Sequence, residues 1–130
     1  MDIFKNKLFL ALLLAVAITA ISYWYQRPGQ LSQKQVLSWI MLSHSQQFCN
    51  VIYPRIQHCV TLKQPECLDI AKKQITNCVN LSQKDIPKRI NRLQAKEIYE
   101  INTGCFQDKM QMELLHNYVI KTSECQRQLS

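Results

Sequence analysis

The sequence is short of the residues that make turns. Two glycines and four prolines occur in 130 residues, which argues against a turn-rich β-sandwich. There is no glycine-rich phosphate loop and no Cys-x-x-Cys, so phosphate cradling and thioredoxin-like redox chemistry lack their motifs. Acidic residues are few: nine Asp and Glu stand against sixteen Lys and Arg. The acidic residues offer no catalytic pair, and Glu97 and Glu100 read as solvated helix charges. No aromatics interleave the basic residues, so a stacking platform for nucleic acid is not expected. No enzyme activity and no cofactor is expected from these absences.

Cysteine is absent from the first 48 residues and frequent after them. Cys49, Cys59, Cys67, Cys78, Cys105 and Cys125 form an even set in a small domain. That pattern implies a disulfide framework and an oxidising compartment. Each bridge would contribute roughly 2–4 kcal/mol, mainly by restricting the unfolded chain.

The N-terminal segment supplies the other half of the topology. Met1–Lys7 is short and basic, and Leu8–Ile21 carries no charge. Ile3–Tyr25 is long enough to cross a hydrocarbon core of about 30 Å if Lys5 and Lys7 reach back to the interface. Tyr23, Trp24 and Tyr25 resemble an interfacial aromatic belt. Ala20-Ile21-Ser22 offers the competing reading, a signal-peptidase site. Residues 1–25 are therefore expected to be a membrane anchor (or signal peptide), with Lys5 and Lys7 inside. Residues 26–31, containing Arg27-Pro28-Gly29-Gln30, are a natural linker, and 32–130 form the extracytoplasmic domain.

Apolar spacing within 32–130 is helical. Ser32 suits a helix cap. Val36, Leu37, Ile40, Met41, His44, Phe48, Val51, Ile52, Ile56, Cys59 and Val60 recur as one side of a first helix. Pro54 should kink or restart it. Pro65 fits the start of a second helix, with Leu68, Ile70, Ala71, Ile75, Cys78 and Val79 inward and an end near Leu81. Ser82-Gln-Lys-Asp85 resembles a capping box for a third helix. Ile86, Ile90, Leu93, Ile98 and Ile101 would line its core face, with Lys84, Lys88, Arg89, Arg92 and Lys96 on the other. Gly104 suits a left-handed helix end. A fourth helix would then run from Phe106 to Glu124, with Met110, Leu114, Leu115, Tyr118 and Val119 inward. The fold class is thus all-α: an N-terminal transmembrane helix, then a small disulfide-stabilised helical-hairpin/four-helix domain.

Ten helical steps put Cys59 about 80° from Cys49, and eleven put Cys78 within about 20° of Cys67. An antiparallel hairpin would therefore set Cys59 opposite Cys67 and Cys49 opposite Cys78. This nested arrangement resembles the coiled-coil–helix–coiled-coil–helix proteins of the mitochondrial intermembrane space, whose twin cysteine pairs are spaced by nine residues. The resemblance covers Cys49–Cys78, and the spacing of ten between Cys67 and Cys78 departs from it. Fifteen connectivities are possible, and these two bridges rank first. In an up-down bundle three cysteines fall at each end, so the fourth helix must be broken, the register must differ, or two thiols must be free or intermolecular.

His44 near Cys49 and His58 beside Cys59 lack the usual zinc spacings, so no metal is expected. His116 reads as helix surface or a satisfied core histidine, and Met110 and Met112 near Phe106 as core filler. The basic set Lys84–Lys96 is the main surface feature, suited to an acidic partner or to anionic lipid headgroups. With Lys5, Lys7 and Asp2 set aside, 14 basic and 8 acidic residues leave the remainder at +6. The expected function is a non-enzymatic accessory protein of an envelope assembly such as a secretion, pilus or division apparatus. It would sit single-pass in a bacterial inner membrane, domain in the periplasm, or in the mitochondrial inner membrane facing the intermembrane space. A periplasmic immunity or inhibitor protein acting against a toxin is an alternative. A thiol- or metal-handling protein is a further one.

Overall fold

Helix α1, Asp2–Gln26, is apolar on every side from Leu8 to Ile21, as a helix surrounded by hydrocarbon would be. In the computed structural model, which describes residues 2–26 and 31–130 (side chains of 2–6 and 26 excepted), none of its Lys7–Tyr25 stretch is buried. That stretch has a mean hydropathy of 2.1 and is long enough to cross a membrane, a property that anchors and signal sequences share. Thr19, the one hydroxyl of the apolar run, donates to the Ala15 and Val16 carbonyls, so it brings no unmet polar group. The linker expected at Arg27-Pro28-Gly29-Gln30 and the reach of the Lys5 side chain lie outside the described residues.

A two-residue strand, β1 (Leu31–Ser32), leads directly into α2 (Gln33–Gln47). Ser32 caps this helix as its sequence context implies. Its hydroxyl accepts from the Gln35 amide while the Gln35 side chain accepts from the Ser32 amide. Pro54 then interrupts the helix as expected. It has no N–H to give the Asn50 carbonyl and its ring crowds that group. The chain widens just before it into a π turn, Phe48–Ile52, closed by Tyr53 N–H on the Phe48 carbonyl. A short helix, α3 (Tyr53–Ile56), and a 3₁₀ turn, Gln57–Cys59, follow. The Tyr53 hydroxyl donates to the Leu62 carbonyl at 2.7 Å and fixes the return.

Helix α4, Gln64–Ser82, starts where Pro65 requires. It buries Cys67, Ala71, Gln74, Ile75, Cys78 and Val79, but leaves Leu68 at the surface. Three sequence expectations fail after it. Ser82 does not cap a helix; its hydroxyl donates back to Val79, and Gln83–Asp85 is a 3₁₀ turn. Pro87 lies within the stretch assigned to the third helix, where it opposes helix continuation. The chain instead forms strand β2 (Arg89–Ile90), and α5 (Arg92–Glu113) starts from Asn91, whose side chain accepts from the Gln94 amide at 2.8 Å.

The second failure is at Gly104. Helix α5 passes straight through it, and a Cβ there would meet nothing within 4 Å. The core face is consequently set by Ile98, Asn102, Phe106 and Met110, each four residues from the last. Leu93 and Ile101 fall off that face and are 49% and 65% exposed. The third failure is the fourth helix. The chain breaks at a π turn, Leu114–Tyr118, runs extended, and ends in α6 (Ser123–Leu129), capped by Thr122. Thr61 N–H on the Tyr118 carbonyl and Ile120 N–H on the Cys59 carbonyl tie this return to the α3–α4 turn.

Strands β1 and β2 pair antiparallel, Leu31 with Ile90 and Ser32 with Arg89. Helices α2 and α5 both start beside this two-residue ladder and run side by side. The ring pairs Trp39–Tyr99 and Phe48–Phe106 follow in the same order along both. Helix α4 runs antiparallel to both, its C-terminal end held by Gln33 Nε2 donating to the Gln83 and Ile86 carbonyls. The domain keeps the expected all-α, roughly four-helix make-up in α2, α4, α5 and the short α6, with α2 and α5 parallel instead of an up-down-up-down order.

The cysteines are fully paired, with a connectivity that corrects the nested one. The bridges are Cys49–Cys67, Cys78–Cys105 and Cys59–Cys125. The hairpin closes at Cys49 because the chain turns away at the π turn, carrying Cys59 out of the α2–α4 seam. Continuity of α5 through Gly104 keeps Cys105 beside Cys78, with Cα atoms 5.9 Å apart. The break in the last helix returns Cys125 to Cys59, which resolves the parity problem.

Gly104→Ala should raise unfolding free energy by about 0.5–1 kcal/mol, since Gly is costly inside an exposed helix. Urea unfolding with the bridges intact measures it; a loss of stability would mean that α5 ends there. Non-reducing peptide mapping should recover the three bridges above. The Cys59–Cys125 bridge spans 66 residues and Cys49–Cys67 spans 18. Loop-closure entropy gives about 4 against about 3 kcal/mol, so the Cys59→Ala/Cys125→Ala variant should lose the more stability.

Candidate functional site

Parallel packing of α2 and α5 leaves an open seam between them. The side chains of Leu31, Val36 and Trp39 form one wall and those of Ala95 and Tyr99 the other. The resulting groove has a volume of about 440 Å³, within the about 300–1,000 Å³ of small-molecule sites. Its surface is almost wholly apolar, and Arg92 and Lys96 stand on its rim. Trp39 is 54% exposed although its ring lies 5.1 Å from that of Tyr99. Leu42, one turn further along α2, is also exposed.

The groove lies at the end of the domain that meets α1. The Arg92 guanidinium sits over the Trp24 ring, 3.9 Å from its centre, a cation–π contact worth about 0.5–2 kcal/mol. Trp24 itself packs edge-on against Tyr25 at 5.7 Å. The aromatic end of α1 thus touches the first turn of α5.

The five basic residues predicted to share a helix face do not share one. Lys84 is in the Gln83–Asp85 turn, Lys88 precedes β2, Arg89 is on β2, and Arg92 and Lys96 are on α5. All five are exposed. What unites them is the end of the domain at which β1, β2 and the start of α5 lie. Lys96 makes an exposed ion pair with Glu100 at 3.7 Å, of little energetic weight.

A second cavity, about 350 Å³, lies further along the same seam, between Phe48 and Ile52 on one side and Phe106, Met110 and Leu114 on the other. His44 separates the two cavities. It is buried, with its ring 4.6 Å from Tyr99 and 5.6 Å from Phe106. Nδ1 is 2.8 Å from the Ile40 carbonyl and Nε2 is 2.7 Å from the Thr103 hydroxyl. A carbonyl only accepts, so neutral His44 donates from Nδ1 and takes the Thr103 proton at Nε2. On protonation Nε2 must donate instead, and the Thr103 hydroxyl donates its hydrogen bond to the Tyr99 carbonyl, 2.8 Å away. Burial pulls the His44 pKa below its ordinary value, against a smaller opposing effect of the Ile40 carbonyl.

His44 is therefore a seam residue with both nitrogens engaged, and Cys49 and Cys59 are in disulfides. His58 and His116 are exposed; His116 Nδ1 bonds the Met112 carbonyl. Among the described residues, no three His, Cys, Asp or Glu side chains converge as a metal site requires. Met110 is core and Met112 is exposed.

Sequence reasoning found the rim cations but missed the groove. Trp39 and Tyr99 carry the signal: both are large aromatics lying off the inward positions of their helices. No protein-family model, curated protein or solved structure matches the chain.

The lowered His44 pKa fixes the sign of a pH effect. The unfolded chain takes up the imidazole proton at a higher pH, about 6.5, than the fold does. Stability is full above that value and falls as the pH drops through it towards the lowered folded value. Denaturant unfolding between neutral and mildly acidic pH should show this loss in the native chain and a shallower one in His44→Gln; identical slopes would remove His44 as its source.

Proposed function

We propose that this protein is a non-enzymatic, single-pass membrane-anchored accessory subunit of an envelope assembly. Its disulfide-bonded helical domain stands on the oxidising side of a bacterial inner membrane, in the periplasm. The observation that carries the reading is the join between α1 and the domain. An exposed apolar helix ends in Trp24, and Trp24 is stacked under Arg92 of the domain. A signal peptide destined for removal has no reason to dock on the mature domain. An anchor does, because the contact sets which end of the domain faces the bilayer. The exposed basic residues from Lys84 to Lys96 lie at that end, where a charged surface meets anionic headgroups or an acidic subunit close to the membrane. The faces of α2 and α4 remain for a partner.

Three bridges in a domain of about 100 residues favour a rigid presenter over a machine with moving parts. A protein that positions others needs a fixed surface more than it needs chemistry.

The mature protein should keep its full mass of 15.3 kDa and partition with the membrane fraction. Protease added to spheroplasts should remove the domain and leave a membrane-embedded N-terminal fragment. Solubilised in mild detergent under non-reducing conditions, it should co-purify with a multiprotein complex. Loss of residues 1–22 from the mature chain would exclude the anchor. Recovery with one stoichiometric soluble partner instead would replace the accessory role with that of an inhibitor.

A further inference from the structure

We infer that the groove between α2 and α5 holds one acyl chain of an anionic phospholipid drawn from the bilayer that α1 spans, with Arg92 and Lys96 on the phosphate. The inference rests on the anchor reading and adds a ligand and a site to it. Its basis is the joint placement of three features. The groove walls, Leu31, Val36, Trp39, Ala95 and Tyr99, are of the kind that an alkyl chain fills. The rim carries two cations one helical turn apart on α5, which suits a single anionic head. The mouth adjoins the end of α1, since Arg92 contacts Trp24.

The geometry leaves the cations able to act. Stacking on Trp24 uses the face of the Arg92 guanidinium, and its N–H fork lies in the plane, where a phosphate oxygen binds. Lys96 is held by Glu100 at 3.7 Å in a pair with both side chains well exposed. Such a pair exchanges readily for a phosphate. Trp24 belongs at headgroup depth, so Arg92 is placed at the same depth. A lipid that lifts one chain would meet the charges first and the groove next. The exposed Trp39 ring, six residues and about 9 Å along α2, would become a wall of the filled site. A soluble peptide would have to reach the same groove from beside the membrane, and the rim would select it for acidity while the walls, almost wholly apolar apart from Gln35, offered its backbone few polar partners.

Trp39 supplies the readout, because the chain has only two tryptophans. In Trp24→Phe, which keeps an aromatic face for Arg92, Trp39 is the sole indole. The full-length variant is reconstituted in vesicles of equal parts phosphatidylcholine and phosphatidylglycerol, with brominated acyl chains on one lipid or the other. Flotation of the same samples reports membrane insertion. Trp39 should be quenched by brominated phosphatidylglycerol and little by brominated phosphatidylcholine. Arg92→Gln/Lys96→Gln should cut that preference about tenfold, since each cation near an anionic surface contributes measurably to binding. Both side chains are exposed, so the core is unaffected. Ala95→Phe, which fills the groove and leaves the rim intact, should abolish quenching without changing flotation. Failure to float would overturn both the anchor reading and the lipid site. Flotation with Trp39 unquenched, quenched equally by both lipids, or still quenched in Ala95→Phe would overturn the lipid site alone.

Discussion

A ladder of two residues determines how the domain is assembled. Leu31 pairs with Ile90 and Ser32 with Arg89, and each strand runs at once into a helix. The Gln33 amide extends the ladder by donating to the Lys88 carbonyl at 3.0 Å. The clamp fixes where both helices start, and beyond it the two run the same way with their side chains meeting in step. Trp39 meets Tyr99, His44 meets Thr103, and Phe48 meets Phe106. A parallel pair needs a return element, which α4 supplies by running back against both. Its polar members stay satisfied there: Asn102 donates to the Ile98 carbonyl and lies 3.3 Å from the Ser82 hydroxyl, and Gln74 donates to Glu113.

The disulfides follow from that arrangement. Once α4 lies between its neighbours, Cys67 faces α2 and Cys78 faces α5. Cys49, in the π turn that continues α2, and Cys105, on α5, are the residues at matching height. The remaining bridge, Cys59–Cys125, ties the final short helix to the α3–α4 turn. A helix of seven residues has little stability of its own. It is held by that bridge and by Gln111 Nε2, which donates to the Leu129 and Ser130 carbonyls.

The sequence was legible where one residue decides the local structure. Ser32 caps, Pro54 interrupts and Pro65 starts a helix, as each chemistry requires. The apolar N-terminal helix and the existence of a disulfide framework were equally plain, whereas the pairing of all six cysteines was left open. It was misleading where a residue allows a feature without demanding it. Gly104 permits a helix end, but Cys105–Cys78 and the burial of Phe106 and Met110 reward continuing. Ser82 can cap a helix, yet Pro87 makes the following stretch a poor one. The nested cysteine pairing assumed a straight hairpin, and the widening before Pro54 removed it. At the site, Arg92 and Lys96 could be singled out from charge alone. The groove could not, because its two walls are 56 or more residues apart in sequence and are brought together only by the fold.

The contact between Trp24 and Arg92 is weak by itself, on the order of a kcal/mol. Its effect depends on the short connection around it. Five steps of chain join Gln26 to Leu31, which reach at most about 18 Å. Within that radius the effective concentration of one partner about the other is in the millimolar range or above. A single stacked pair is then enough to favour one orientation of the domain over the rest. The orientation it favours brings Arg92, Lys96 and the groove mouth to the end of α1, and puts the Cys59–Cys125 bridge at the far end of α5. The end that meets α1 is therefore basic and open along an apolar seam. The opposite end is the one where the Cys59–Cys125 bridge holds the last short helix.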